Sequence, residues 1–319
     1  MAIVKIQNPM LTVEAIYRAY EAKQDKDFRD HLGASVVGHE CNRHSWMAFR
    51  WGTPKEDRGF PGRILRLFET GNLAEARFVS DLRSIGCEVQ ETDPTTGKQW
   101  SVRDSTGHFG GSLDALILGL PEAPNTVHIA EFKTHNDASF KDLVKKKVAE
   151  SKPMHWVQMQ VYMHLGGWKR AFYLAVNKNT DELYQERVYY DVKFGMQVVA
   201  KAQEIIGMAS PPERYSHDPS NYKCKMCSFH SVCHGEKLPD RHCRSCLSST
   251  PIENGKWYCE RHKIVLTSEM QRKGCEMHRY IPAFVTSKGW DQVDACLNAT
   301  WVKYLERGMN GREWIDAGS

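Results

Sequence analysis

A mixed α/β chain carrying a small cysteine-rich C-terminal module is the fold class that this sequence predicts. Three observations predict it. Strand-like and helix-like segments are mixed up to about residue 208. Pro211 and Pro212 then mark a boundary. Beyond them apolar periodicity fades and cysteines gather, and a tail so poor in apolar runs is expected to rely on metal. The 319 residues suffice for a catalytic domain plus an appendage, and 41% hydrophobic content permits a sizeable core.

Residues 11–29 read as an opening helix, and 33–58 as irregular, with Cys41 inside. From 64 to 85, Leu67, Phe68, Ala74, Phe78, Leu82 and Ile85 keep helical spacing, which Gly86 ends. Strands follow at 87–90, 99–103, 112–118 and 127–133, with 121–125 as the turn between the last two. Residues 137–150 and 155–165 read as helices, with Pro153 starting the second. Residues 171–176 and 183–189 read as a hairpin, and 192–208 as a further helix. No internal repeat is visible.

The net charge of +4 is too mild to identify a nucleic-acid partner. Lys141, Lys145, Lys146, Lys147 and Lys152 crowd one segment, either as a solvated helix face or as a phosphate-binding stripe. Met1-Ala2-Ile3-Val4-Lys5 lacks a basic region leading into an apolar stretch, and no run approaches the ~20 apolar residues of a membrane span. The expectation is a cytoplasmic protein without a membrane partner. Its ten cysteines would there stay reduced and be free to hold metal.

Alternate strand residues share a face, so Val127, Ile129, Glu131 and Lys133 point one way. That face turns polar only at its end. Asp114, read on its own strand with Leu116 and Leu118, can lie beside Glu131. Two carboxylates are hard ligands for Mg²⁺ or Mn²⁺, and a bound Mg²⁺ can polarise a phosphoryl oxygen and help generate a hydroxide nucleophile. Lys133 can position or deprotonate the water and stabilise charge developing on phosphate. The bland alternative is a surface ion pair between strands. Gly110-Gly111 allows close approach to the Asp114 strand. Glu75 offers another carboxylate. Gln158 and Tyr162 stand one helical turn apart. His155, three residues before Gln158, either serves as a structural histidine, the commoner role of a lone one, or touches a phosphate.

Gly71-x3-Glu75, Asp114, Glu131-x-Lys133 and Gln158-x3-Tyr162 stand in the order of the PD-(D/E)xK nucleases, and the chain resembles their RecB-like exonuclease branch over about residues 64–190. The resemblance implies a restriction-endonuclease-like mixed central sheet flanked by helices. It implies Asp114 and Glu131 as metal ligands, Lys133 as the catalytic lysine, and Gln158 as an orienting group, with Tyr162 in the same motif. Glu75 departs from the histidine often found in RecB-type members, although a carboxylate also occurs there. The resemblance implies cleavage leaving a 5′-phosphate.

Cys224-x2-Cys227-x5-Cys233 is one thiolate short of a four-ligand site, and Cys41 is the candidate to complete it. The pattern resembles the iron–sulfur members of the same superfamily, the CRISPR-associated exonucleases and AddB-type recombination nucleases. It implies a structural 4Fe–4S cluster, with Zn²⁺ at the same cysteines as the alternative. Cys243-x2-Cys246 followed by Cys259-x2-His262 has zinc-ribbon spacing, with Cys275 and His278 as alternates. This module either contacts DNA, through Arg241, Arg244, Lys256, Arg261 and Lys263, or serves as a structural cap or docking surface.

No Walker A loop, Gly-x-Ser-x-Gly elbow or His-Glu-x-x-His helix is present in the sequence. The expected protein is a metal-dependent DNA nuclease, favouring an exonuclease on DNA ends or single strands in recombination, repair or phage DNA metabolism. A recombination protein or helicase is its expected partner. A structure-specific endonuclease and a non-catalytic zinc-ribbon nucleic-acid-binding protein are the alternatives. The expected division is a nuclease domain over 1–236, including the four-cysteine staple, and a zinc module over 237–319.

Overall fold

A computed structural model describes residues 10–296, 300–308 and 311–317. The N-terminal stretch 1–5, read above for targeting, lies outside the described residues. The chain opens with α1 (Leu11–Lys23), β1 (Leu32–Gly33), α2 (Ala34–Val37), α3 (Asn42–Phe49) and α4 (Gly62–Ser84). Strands β2 (Glu88–Gln90), β3 (Ser101–Arg103), β4 (Phe109–Ser112), β5 (Ala115–Leu118) and β6 (His128–His135) follow. Then come α5 (Asp137–Ser151), α6 (Pro153–Gly166), β7 (Arg170–Asn177), β8 (Leu183–Tyr189) and α7 (Val192–Gly207). The tail contributes α8 (Tyr222–Lys225), α9 (His230–Cys233), β9 (Ser249–Pro251), β10 (Trp257–Cys259), β11 (Ile264–Leu266), α10 (Ser268–Lys273) and α11 (Pro282–Thr286). It ends on β12 (Trp290–Ala295), β13 (Val302–Glu306) and β14 (Glu313–Asp316).

The central sheet runs β2-β5-β6-β7-β8. Only β6 and β7 pair in parallel, and the helical pair α5–α6 supplies the crossover that a parallel pair requires. Both faces are covered. Ile129, Ala171, Tyr173 and Ala175 enter the core built with α3, α6 and α7. Ala130, Phe132, Phe172 and Leu174 enter the opposite core, beneath Phe78, Val79 and Leu82 of α4. Strand alternation thus divides one sheet between two cores.

Two sequence expectations change here. Residues 33–58 are not irregular: they form β1, α2 and α3, and bury Trp46, Met47 and Phe49. Helices of 4 and 8 residues are too short to display a helical repeat. The predicted strand over 112–118 is two strands serving different sheets. β4 pairs with β1 and β3, β5 joins the central sheet, and the chain crosses over at Leu113-Asp114.

The cysteine-rich tail shares the larger core and adds a small cluster of its own, Tyr280, Val285, Val302 and Tyr304. Trp257, Cys259, Leu266, Ile281 and Phe284 are buried in the cluster that holds Trp46 and Phe49. Arg244, expected above to reach phosphate, is 1% exposed. Its guanidinium stacks over Trp51 at 4.0 Å and donates to Phe49 O (3.1 Å), Asp30 O (2.9 Å) and Gln271 Oε1 (3.0 Å). It joins tail to core by donating to Phe49 O and Asp30 O from a planar guanidinium buried in the tail. No helix among the described residues is long and apolar enough to cross a membrane.

Candidate active site

Glu131 and Lys133 project from β6 on the face that carries Ile129, at the end where that face leaves the apolar core. Asp114 lies just before β5 rather than within a strand. The β5–β6 register pairs Ala115 with Ala130, so continuing it by one position sets Asp114 opposite Glu131. Asp114 Oδ2 accepts a hydrogen bond from Phe132 N at 2.7 Å. Lys133 Nζ stands 2.5 Å from Glu131 Oε1 and donates to Phe132 O at 2.9 Å.

Helix α6 supplies the opposite wall. Pro153 begins it and Gly167, at φ 76°, ends it in a left-handed cap. Gln158 Nε2 lies 3.1 Å from Glu131 Oε2 and 3.0 Å from Tyr162 Oη, donating to both. Tyr162 lies against the backbone of Gly111, where a Cβ would fall 2.9 Å from its ring and hydroxyl. The close approach expected at the glycine pair therefore has a physical cause.

The electrostatics are those of crowded carboxylates around one ammonium. Burial pushes Glu131 up to about 7, Lys133 pulls it back, and Asp114 and Glu75 push it further up. Burial raises Asp114 against the pull of Lys133 and the Phe132 N–H. Burial and then Asp114 raise Glu75. Burial opposes the charge on Lys133, but Glu131, Asp114 and Glu75 outweigh it and hold the ammonium more firmly than usual.

Lys133, His155, Gln158 and Tyr162 open onto a cavity of about 720 Å³ whose lining also includes a wall bearing Arg29, Asp30 and Arg103. His31, on the same wall, is held down to about 4 by burial and by Arg103 and Arg29. Sequence spacing does not reveal this basic wall. Arg29 closes a predicted helix and Arg103 a predicted strand, and only the packing of β1, β3 and β4 brings them together. In the lysine-rich segment, Lys141 and Lys146 instead pair with Asp137 (2.8 Å) and Asp142 (2.9 Å) of their own helix.

Cys41, Cys224, Cys227 and Cys233 line a second cavity of about 450 Å³. The Cys227 thiol is pushed up by burial and also by the other three sulfurs. Cys243, Cys246, Cys259, His262, Cys275 and His278 surround a third, small cavity. Burial and the nearness of Cys246, Cys275 and Cys259 push Cys243 up to about 12. Cys275 Sγ is 3.7 Å from His262 Nε2, whereas His278 Nε2 is engaged with Ser245 Oγ at 2.9 Å. Among the described residues no three or more His, Cys, Asp or Glu side chains are closed into coordination geometry. The donor chemistry nonetheless fits. Grouped thiols, with Cys227, Cys243 and Cys246 pushed up by burial and by neighbouring sulfurs, suit a soft or borderline metal. Mutually repelling carboxylates, with Glu131 buried and Lys133 the one ammonium against it, suit a hard divalent cation.

Residues 12–234 match the family model of the PD-(D/E)XK nuclease superfamily. The chain belongs to the PD-(D/E)XK nuclease superfamily. Membership supports metal-dependent nuclease chemistry, generally with Mg²⁺ or Mn²⁺. No curated protein matches this PD-(D/E)XK nuclease significantly. Among solved structures, it is similar to the protein SSO0001 at 14% identity and TM-score 0.43, covering 70% of this chain and 96% of that one. It is also similar to LHK-Exo in complex with dAMP, at 16% identity and TM-score 0.39, over 60% of this chain and 90% of that one. A second structure of LHK-Exo, an alkaline exonuclease from Laribacter hongkongensis, has 15% identity, the same TM-score of 0.39 and the same coverage, 60% and 90%.

Proposed function

We propose that this nuclease hydrolyses phosphodiester bonds of DNA and acts at strand ends. The observation that carries the reading is one cavity lined by Lys133 and Gln158, both of which touch the buried Glu131, together with a basic wall bearing Arg29 and Arg103. That wall attracts a phosphodiester backbone without regard to sequence. Glu75, Asp114 and Glu131 are the residues that would hold Mg²⁺ or Mn²⁺, which when bound supplies Lewis-acid charge at the phosphoryl oxygen. Gln158 orients Glu131 by occupying Oε2 and leaving Oε1 to Lys133. Lys133 serves to position or deprotonate the attacking water and to stabilise charge developing on the phosphate.

End-directed cleavage draws support from the RecB-like motif order and the four-cysteine staple. In this reading Cys41, Cys224, Cys227 and Cys233 hold a structural 4Fe–4S cluster, with Zn²⁺ as the alternative. Cys243, Cys246 and Cys259 hold Zn²⁺, completed by His262 or Cys275. The nuclease unit spans 1–236 and the zinc module 237–319. The setting is cytoplasmic DNA recombination, repair or phage DNA metabolism, with a recombination protein or helicase as partner.

The test uses anaerobically purified protein, end-labelled linear DNA and a covalently closed circle, with Mg²⁺ or Mn²⁺. Linear DNA should be shortened and the circle spared, while metal analysis should return about four irons and one zinc per chain. A cut circle overturns end-directed action. No cleavage of either substrate overturns the DNA reading, and zinc without iron overturns the cluster.

A further inference from the structure

His155 stands on the first turn of α6, three residues before Gln158, and lines the same cavity as Lys133 and Tyr162. Its Nδ1 points away from that cavity, to Tyr173 Oη at 3.0 Å. Tyr173, fully buried on β7, also meets His135 Nε2 at 2.8 Å, and His135 Nδ1 meets Ser139 Oγ at 3.1 Å. The rings of His155 and Tyr173 lie nearly parallel, 25° apart. No protein hydrogen bond among the described residues occupies His155 Nε2, and the motif Gln158-x3-Tyr162 does not call for this row of groups.

The proton count of the row is restrictive. Tyr173 has one hydroxyl proton, so one flanking imidazole donates to it and the other accepts from it. In one arrangement Ser139 donates to His135, His135 to Tyr173, and Tyr173 to His155 Nδ1. His155 Nε2 then carries its hydrogen into the cavity. In the reverse arrangement Nε2 presents a lone pair there. A phosphate oxygen entering the cavity selects the first arrangement, because the second sets a lone pair against an anion. Burial and Lys133 hold His155 down to about 3, so the donor is a neutral imidazole.

We propose that His155 is a further catalytic residue, whose Nε2–H donates to a non-bridging oxygen of the scissile phosphate, with Tyr173 and His135 as the positioning residues that fix its tautomer. The inference rests on the nuclease reading and adds a neutral donor to the cavity that Lys133 lines. It also gives a reason for joining two histidines and a buried tyrosine in one polar row, because a neutral row disturbs the carboxylates less than another cation would.

The amide isosteres separate this role from a structural one. Gln places an N–H near the position of imidazole Nε2, whereas Asn reaches only the position of Nδ1. With Mg²⁺ and linear DNA, His155→Asn should lower kcat/KM by about 10²–10³-fold, the effect of losing one donor to a developing oxyanion. His155→Gln should remain within about 10-fold of wild type, for the same reason. Melting curves confirm that both variants fold. If Asn retains activity and Gln loses it, or if both fall equally, His155 serves only the packing around Tyr173 and the inference is overturned. Lys133→Ala is run alongside. A wild type that does not cut, or one no better than Lys133→Ala, brings down the nuclease reading and this inference with it. A cutting wild type that His155→Asn equals overturns this inference alone.

Discussion

Glu131→Gln is expected to lower Mg²⁺-dependent cleavage by about 10³-fold or more while making the metal-free protein more stable at pH 8. The two effects share a cause. Glu131 is 1% exposed, pushed up to about 7 by burial, and crowded by Asp114 and Glu75. The folded chain therefore holds the Glu131 proton more tightly than the unfolded chain, whose carboxyl keeps its ordinary value of 4.5. Between pH 4.5 and about 7, rising pH costs folding free energy, and above that window the full cost is present. Gln imitates the protonated form and never ionises. In EDTA at pH 8 the gain should be on the order of 1–3 kcal/mol, moderated because Lys133 loses its nearest partner. At pH 4.5 the two proteins should melt alike. Saturating Mg²⁺ should reverse their order at pH 8, because the cation stabilises only the carboxylate. Equal melting at every pH would show that Glu131 is not strained by its neighbours.

Arg244→Ala should destabilise the whole chain by about 3–5 kcal/mol, read as a shift in denaturant midpoint. Truncation leaves Phe49 O, Asp30 O and Gln271 Oε1 without their donor and opens a void between Trp51 and Trp257. Arg244→Lys keeps the charge but cannot make three hydrogen bonds from one plane, so it should recover less than half of the loss. Asp30 adjoins Arg29 and His31, so the same variant loosens the basic wall of the cavity. A loss under about 1 kcal/mol would mean that the tail rests on the core without joining it.

The proposed catalytic constellation was legible where it obeys a period. Glu131 and Lys133 follow strand alternation, and Gln158 and Tyr162 follow the helical turn, so one-dimensional spacing already set each pair on one face. Asp114 was legible as the partner of Glu131 but not as the residue at which one strand run passes between two sheets. That division depends on β4 finding β1 and β3, and no local pattern encodes it. Arg29, His31 and Arg103 were illegible because they come from separate segments that meet only in the fold. For Arg244 the sequence left a phosphate contact and a structural cap equally open, because an arginine between two cysteines has the composition of either. Its burial follows from Phe49, Trp51 and Trp257, which lie far from it in sequence.

The most direct measurement compares wild type with Lys133→Ala on labelled linear DNA while Mg²⁺ is titrated from zero. Wild type should cut only with the cation present. Lys133→Ala should melt as a folded protein yet lose about 10³-fold or more in rate, because it removes the one ammonium amid three carboxylates. Equal rates for the two proteins, or wild-type cleavage that persists in EDTA, would contradict the assignment of this site to phosphodiester hydrolysis.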